Sequence, residues 1–212
     1  MTSAILFDAF GTVIDIKRRL HPYRMLLRLG MQQGLRFGPD ALRQLMVFNG
    51  SMIGAADLLG VRVFAQELEV IQEALDEELA SCVPFPDAVE AIDMLRAAGI
   101  RTGICSNLAQ AYGPTLRRHF PTVDGFALSY ECEVMKPDPL IYQMLCRSLG
   151  VTPMRDWHRS VSSVLMIGDS PRCDRDGPRS VGIPGYLLRR NSRGPFGDLV
   201  QFATTVLASI KS

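Results

Sequence analysis

The stretch Ile5-Leu6-Phe7-Asp8-Ala9-Phe10-Gly11-Thr12-Val13-Ile14 ends an apolar run on a single acid and follows it with an aromatic residue and Gly-Thr. An apolar run from Ala4 to Phe7, cut off by turn-forming residues, reads as a strand covered on both faces, the pattern of a parallel sheet. Four later runs have the same character: Ile100–Cys105, Phe126–Leu128, Val164–Ile167 and Gly185–Leu188, each bounded by Gly, Pro, Asp or Ser. Segments of helical period lie between them. Pro86 to Ala98 opens on Pro86-Asp87, is expected to bury Val89, Ile92, Met94 and Leu95, and stops at Gly99, which suits a left-handed C-terminal residue. Strands alternating with helices predict an α/β layer fold.

Residues 15–83 break that rhythm. Leu20–Gln33, Pro39–Phe48 and Arg62–Ala80 carry i, i+3, i+4 apolar spacing with no convincing strand among them, so a helical insertion is expected between the first two core strands. Its closing linker, Ser81-Cys82-Val83-Pro84-Phe85-Pro86, uses two prolines on re-entry into the core. The expected organisation is a core of residues 1–14 and 84–212 and a helical domain of residues 15–83.

Composition narrows the function. The chain has 212 residues, 47% hydrophobic and 21% charged, enough for one large core. Its 23 basic against 22 acidic residues give no field for a polyanion, so nucleic acid is not an expected partner. Five scattered cysteines, with no CxxC pair and no zinc spacing, read as reduced thiols, and no apolar run is long enough to span a bilayer. A soluble cytoplasmic protein without membrane partners is expected. Only three lysines occur, Lys17, Lys136 and Lys211.

Four polar clusters each follow a predicted strand, so a parallel sheet gathers them at its carboxyl edge, where open α/β folds bind ligands. They are Asp8 with Thr12, Ser106 with Asn107, Lys136 in Val134-Met135-Lys136-Pro137-Asp138-Pro139, and Asp169 with Asp174 in Gly168-Asp169-Ser170-Pro171-Arg172-Cys173-Asp174. Singly, each has a structural explanation as a turn, a helix cap or a solvated cation.

The ordered set resembles the haloacid dehalogenase superfamily of hydrolases across nearly the whole chain. The resemblance implies a Rossmann-like core with an inserted helical cap and attack by an aspartate nucleophile. It implies Asp8 as nucleophile, Lys136 as the neutralising cation and Thr12 as a buttress of the nucleophile loop. Ser106 and the backbone amides of Asn107 and Ala9 would hold phosphate oxygens. A Mg²⁺ cofactor would be held by the Asp8 carboxylate, the Phe10 carbonyl and Asp169, with Asp174 in support, and the partner would be a small, phosphorylated substrate. Physically, a carboxylate nucleophile splits one displacement into two, and hard oxygen donors suit Mg²⁺.

Phe10 departs from the pattern. Most phosphatases of the superfamily have a second aspartate there as general acid and base, a contribution of about 10²–10⁴-fold. Three readings follow. A Mg²⁺-dependent phosphohydrolase would act weakly on generic esters. A metal-independent 2-haloacid dehalogenase would use the aromatic residue, since halide needs no proton; such members typically lack the Gly-Asp of the last motif, and they use a cap arginine for which Arg24, Arg28, Arg36 and Arg43 are candidates. A binding or regulatory protein would keep the scaffold without turnover. Phosphonate cleavage would need a cap lysine, and only Lys17 stands near.

Smaller features carry plainer expectations. His21, His119 and His158 read as surface or helix-end residues, Asn49-Gly50-Ser51-Met52 as an interhelical turn or a specificity loop, Trp157 as a packing residue, and Arg189-Arg190-Asn191 as solvated charge sooner than a substrate contact.

Overall fold

The structure, a computed structural model, describes residues 2–153, 155–156, 161–190 and 194–211. Trp157, His158 and Asn191, about which expectations were stated, lie outside them. In chain order the elements are β1 Ala4–Phe7, β2 Ile14–Ile16, α1 Pro22–Gln32, α2 Ala41–Val47, α3 Met52–Leu59, α4 Ala65–Ala80, β3 Cys82–Pro84, α5 Pro86–Ala97, β4 Arg101–Ser106, α6 Gly113–His119, β5 Gly125–Leu128, α7 Ser129–Cys132, α8 Pro139–Ser148, β6 Arg155–Asp156, β7 Val161–Ser162, β8 Val164–Gly168, β9 Gly185–Leu187 and α9 Leu199–Lys211.

The main sheet has the order β5-β4-β1-β8-β9 with every pair parallel. This is the expected α/β architecture. Side-chain alternation divides it into two apolar layers. Ile5 and Phe7 of β1, Ile104 of β4 and Leu165 and Ile167 of β8 face a large cluster shared with α5 and α9, while Ala4, Leu6, Cys105, Val164 and Met166 face a smaller one built on α8. Helices on both faces explain why these strands read as unbroken apolar runs. The helix of Pro86 forms as expected: Pro86 opens α5, and Gly99 follows it at φ 75°. The expectation that it buries Val89 fails, since that residue is exposed on α5.

Four helices, α1 to α4, fill the chain between β2 and β3. Two expectations for this segment are corrected. The stretch was read as strand-free, yet β2 and β3 pair antiparallel, Ile14 with Pro84 and Ile16 with Cys82, carrying the chain out to the helices and back. Three residues per strand are too few for periodicity to register. The segment was read as three helical stretches, yet a fourth, α3, follows Asn49-Gly50-Ser51, which is the interhelical turn expected of it: Ser51 Oγ accepts from Gly54 N at 3.2 Å, and α3 ends before Gly60 at φ 68°. The helices share the large apolar cluster through Tyr23, Leu26, Leu45, Ala55, Ile71 and Leu75.

Arg190 overturns its expectation as solvated charge. Its Nη1 donates to both Asp87 carboxylate oxygens, at 2.8 and 2.9 Å, and its Nη2 donates to the Thr12 carbonyl at 2.5 Å. Its guanidinium lies 3.8 Å from the centre of the Phe85 ring. Asp87 Oδ2 also accepts from Leu199 N at 2.8 Å, at the start of α9. The planar fork therefore joins the start of α5 to the loop after β1, and Asp87 in turn ties in the start of α9. Its Nε is buried without a hydrogen-bond partner among the described residues.

Removing this fork leaves Asp87 and the Thr12 carbonyl underpaired. With the Arg190 side chain 18% exposed, Arg190→Ala is expected to cost about 2–3 kcal/mol, somewhat less than a fully buried pair. The melting midpoint should fall by roughly 5–10 °C, and Arg190→Lys should restore only part of it, because an ammonium cannot bond in a fork. A thermal scan showing both variants level with the parent would refute the clamp.

Candidate active site

β1 lies between β4 and β8 with Phe7 level with Ile104 and Ile167. Within one or two residues of that level the three chains present polar side chains at the same edge: Asp8 one residue on from β1, and Ser106 at the end of β4 and Asp169 after β8 two residues on. The fourth cluster arrives from the loop between α7 and α8. The sheet thus brings together four segments separated by up to about 160 residues in sequence.

Their contacts are short. Lys136 Nζ stands 2.6 Å from Asp8 Oδ1 and 2.7 Å from Asp174 Oδ1, with the lysine and Asp174 buried. Burial alone would lower the ammonium's pKa, but the Asp8 and Asp174 charges outweigh it and hold it well above the usual lysine range. Thr12, fully buried, donates from Oγ1 to Asp8 Oδ2 at 3.2 Å. The Ala9 carbonyl accepts from the amides of Thr12, Val13 and Ile14, so the loop after β1 curls back on itself. Gly11 takes φ 81°, and a Cβ there would lie 2.5 Å from Asp169 Oδ2. Both the backbone conformation and the close approach require glycine.

Asp174 is held on both oxygens: Oδ1 by Lys136 and Oδ2 by Ser170 N at 2.9 Å. It sits in a short helical turn, Pro171–Asp176, which Ser170 caps by accepting from Cys173 N. Burial chiefly, with the Asp8 charge added and Lys136 opposing, pushes its carboxyl up to about 6. Asp169 is the exposed member of the group. Loss of hydration first, and then the Asp8 charge, pushes its carboxyl up as well.

Asp8, Asp169 and Asp174 each offer an oxygen within 4.8 Å of the others. Three carboxylates stand against the Lys136 ammonium and, at Asp169, the charge of the Arg189 guanidinium, so the carboxylates outnumber the cations. An all-oxygen set with that charge deficit fits a hard divalent cation. Asn107 does something the sequence did not indicate. Its side chain forms a two-way clamp on the backbone of Lys136, Nδ2 to the carbonyl at 2.9 Å and Oδ1 from the amide at 2.7 Å, and so fixes where the lysine begins.

A cavity of about 460 Å³ opens between the helices of residues 22–80 and the loops that carry Asp8 and Ser106, reached through Phe10, two residues after Asp8, and Asn107, next to Ser106. Phe10 and Asn107 belong to its wall, with Tyr23, Met46, Leu108 and Tyr112. Phe10 meets Tyr112 edge to face at 5.5 Å. Of the four arginines weighed for a substrate carboxylate, Arg24 alone lines this cavity, joined by Arg19. His21 lines it too, at the entry to α1, whereas His119 ends α6.

Glu78 was missed. It is buried on α4, where Oε2 accepts from Leu20 N at 2.6 Å and His21 N at 2.7 Å and Oε1 accepts from Tyr112 Oη at 2.7 Å. Burial first, then the bond to Glu78, pushes the Tyr112 hydroxyl up and keeps it protonated. A readable signal existed: Glu78 continues the apolar series Ile71, Leu75 at i+4 and i+7, and an acid on the buried stripe of an amphipathic helix needs a partner.

Comparisons with known proteins agree with this geometry. A haloacid dehalogenase-like hydrolase family profile matches residues 2–182. Among curated relatives, Haloacid dehalogenase-like hydrolase domain-containing protein 3 of Danio rerio is 32% identical over 111 residues, 50% of this chain and 41% of that protein. Glyceraldehyde 3-phosphate phosphatase of Methanopyrus kandleri is 27% identical over 218 residues, 94% of this chain and 88% of that protein. Among solved structures, a HAD phosphatase from Thermococcus onnurineus shares the fold at TM-score 0.65 and 20% identity, covering 97% of this chain and 98% of that one. A 2-haloacid dehalogenase from Pseudomonas syringae pv. Tomato DC3000 does so at TM-score 0.62 and 16% identity, covering 98% and 99%. No helix among the described residues is long and apolar enough to cross a membrane. With four ordered motifs converging on one sheet edge and the family profile spanning most of its length, this chain belongs to the haloacid dehalogenase-like hydrolases.

Proposed function

We propose that this hydrolase is a Mg²⁺-dependent phosphohydrolase working through an aspartyl nucleophile, with helices α1 to α4 (within residues 15–83) as its cap and residues 1–14 and 84–212 as its core. The observation that carries the reading is the gathering of three carboxylate oxygens, from Asp8, Asp169 and Asp174, within 4.8 Å of one another beside one buried lysine. A metal-free dehalogenase would hold an extra anion beside its nucleophile, opposing the approach of a substrate carboxylate. A phosphohydrolase uses the same charge to hold a cation. Phosphatase names among the relatives, including Methanopyrus glyceraldehyde 3-phosphate phosphatase, favour a small phosphorylated substrate.

In this reading Asp8 attacks phosphorus. Thr12 holds Asp8 Oδ2, and Lys136 stays charged to offset both the nucleophile and a substrate oxygen. Ser106 and the amides of Ala9 and Asn107 receive phosphate oxygens at the sheet edge. Asp8, the Phe10 carbonyl and Asp169 would hold Mg²⁺, with Asp174 in support, and the bound ion would supply charge neutralisation for the phosphoryl group. Asp174 supports by fixing Lys136 and the Ser170 amide. Closure of the cap excludes water from the reacting centre.

Asp8→Asn is expected to abolish phosphate release, by about 10³-fold or more, while circular dichroism and the melting midpoint stay near the parent. Retained turnover in the pure variant would remove Asp8 as nucleophile. Phosphate release should vanish in chelator and return with Mg²⁺. Chloride release from 2-chloropropionate in chelator would instead establish the dehalogenase reading, which the aromatic Phe10 favours together with the 25% identity to (S)-2-haloacid dehalogenase 4A of Burkholderia cepacia.

A further inference from the structure

We propose that the cavity walled by Phe10 and Tyr112 receives the leaving group of the substrate and selects phosphate monoesters whose leaving group is an aromatic ring. The inference rests on the phosphohydrolase reading and names its substrate class. Two independent observations meet here. First, the position that would carry a proton donor is Phe10, whose side chain forms part of this wall. A leaving oxygen that must depart unprotonated has to be a weak base, which a phenol satisfies and a simple alcohol does not. Second, the wall suits a ring. Phe10 and Tyr112 stand edge to face at 5.5 Å, with Met46 and Leu108 adding apolar surface, and about 460 Å³ is ample for a single-ring group.

Tyr112 does not compete as a proton donor. Its hydroxyl is committed to Glu78 at 2.7 Å, and Glu78 in turn accepts from two backbone amides of the segment leading into α1. That network fixes the ring as a wall. Arg19 and Arg24 at the cap side leave room for an anionic ring substituent.

The chemistry balances without an acid. An Asp8 carboxylate oxygen bonds to phosphorus, the bond from phosphorus to the aryl oxygen breaks, and its electron pair leaves on that oxygen as phenolate. Water then attacks the aspartyl phosphate, giving inorganic phosphate, a proton to solvent and the free carboxylate.

The test compares p-nitrophenyl phosphate, phenyl phosphate, glycerol phosphate and acetyl phosphate with the full-length protein and Mg²⁺. The kcat/KM should fall steeply as the leaving group becomes more basic, with glycerol phosphate below p-nitrophenyl phosphate by about 10²-fold or more. The aryl esters should show a lower KM than acetyl phosphate, which leaves easily but has no ring. Phe10→Asp should raise glycerol phosphate hydrolysis and flatten the dependence on leaving-group basicity. Tyr112→Leu should raise KM for the aryl esters roughly threefold to tenfold. Mg²⁺-dependent hydrolysis of acetyl phosphate, with glycerol phosphate turned over as fast as the aryl esters, would overturn this inference and leave the phosphohydrolase reading standing. Hydrolysis of none of the four would overturn both.

Discussion

A lysine ammonium buried between two carboxylates is the constraint on which the rest of the site depends. Lys136 Nζ lies 2.6 Å from Asp8 and 2.7 Å from Asp174. Charges this far from water are tolerated only when paired and hydrogen-bonded, because the desolvation cost of a lone one is several kcal/mol. The site meets that condition through its surroundings. Asn107 clamps the lysine's backbone, Thr12 takes the second oxygen of Asp8, and Ser170 N takes the second oxygen of Asp174. Each partner comes from a different strand end, so forming the ion cluster and closing the sheet edge are one event.

The surrounding loops are arranged to make that cluster close without crowding. Gly11 admits Asp169 where any side chain would collide, and Gly168 similarly faces the Asp174 carboxylate, 2.4 Å from where its Cβ would stand. Arg190 holds the Thr12 loop from outside while joining it to the starts of α5 and α9. The Asp8 loop is thus fixed on one side by the buried lysine and on the other by the arginine fork. Such fixation matters for any displacement that demands a positioned carboxylate, since misplacement by about 1 Å can cost about 10²-fold in rate.

The second constraint lies across the cavity. Glu78 draws the segment leading into α1 to α4 and to Tyr112 through three hydrogen bonds. The same buried acid therefore joins the inserted helices to the cavity wall. Specificity in the proposed reaction is set at this junction, by the Phe10 and Tyr112 rings, while the charge for catalysis is set at the lysine.

Much of this was legible in the chain. Strand positions, the helical insertion, and the gathering of Asp8, Ser106, Lys136 and Asp169 at one edge follow from apolar runs, turn residues and the rule that parallel strands share a carboxyl end, all of which are local or topological. The short strands β2 and β3, the Ser51-capped helix, the Asn107 clamp, the Arg190 fork and the Glu78 network did not follow. All but the Ser51-capped helix, whose cap is local and too short a signal beside its neighbours, depend on which groups meet across long sequence separations, 103 residues between Asp87 and Arg190 and 34 between Glu78 and Tyr112. Local preference decides where a strand ends and which acid follows it. Only packing decides which distant donor leaves water to meet that acid, because the gain from such a pair exists only after both groups have been desolvated together.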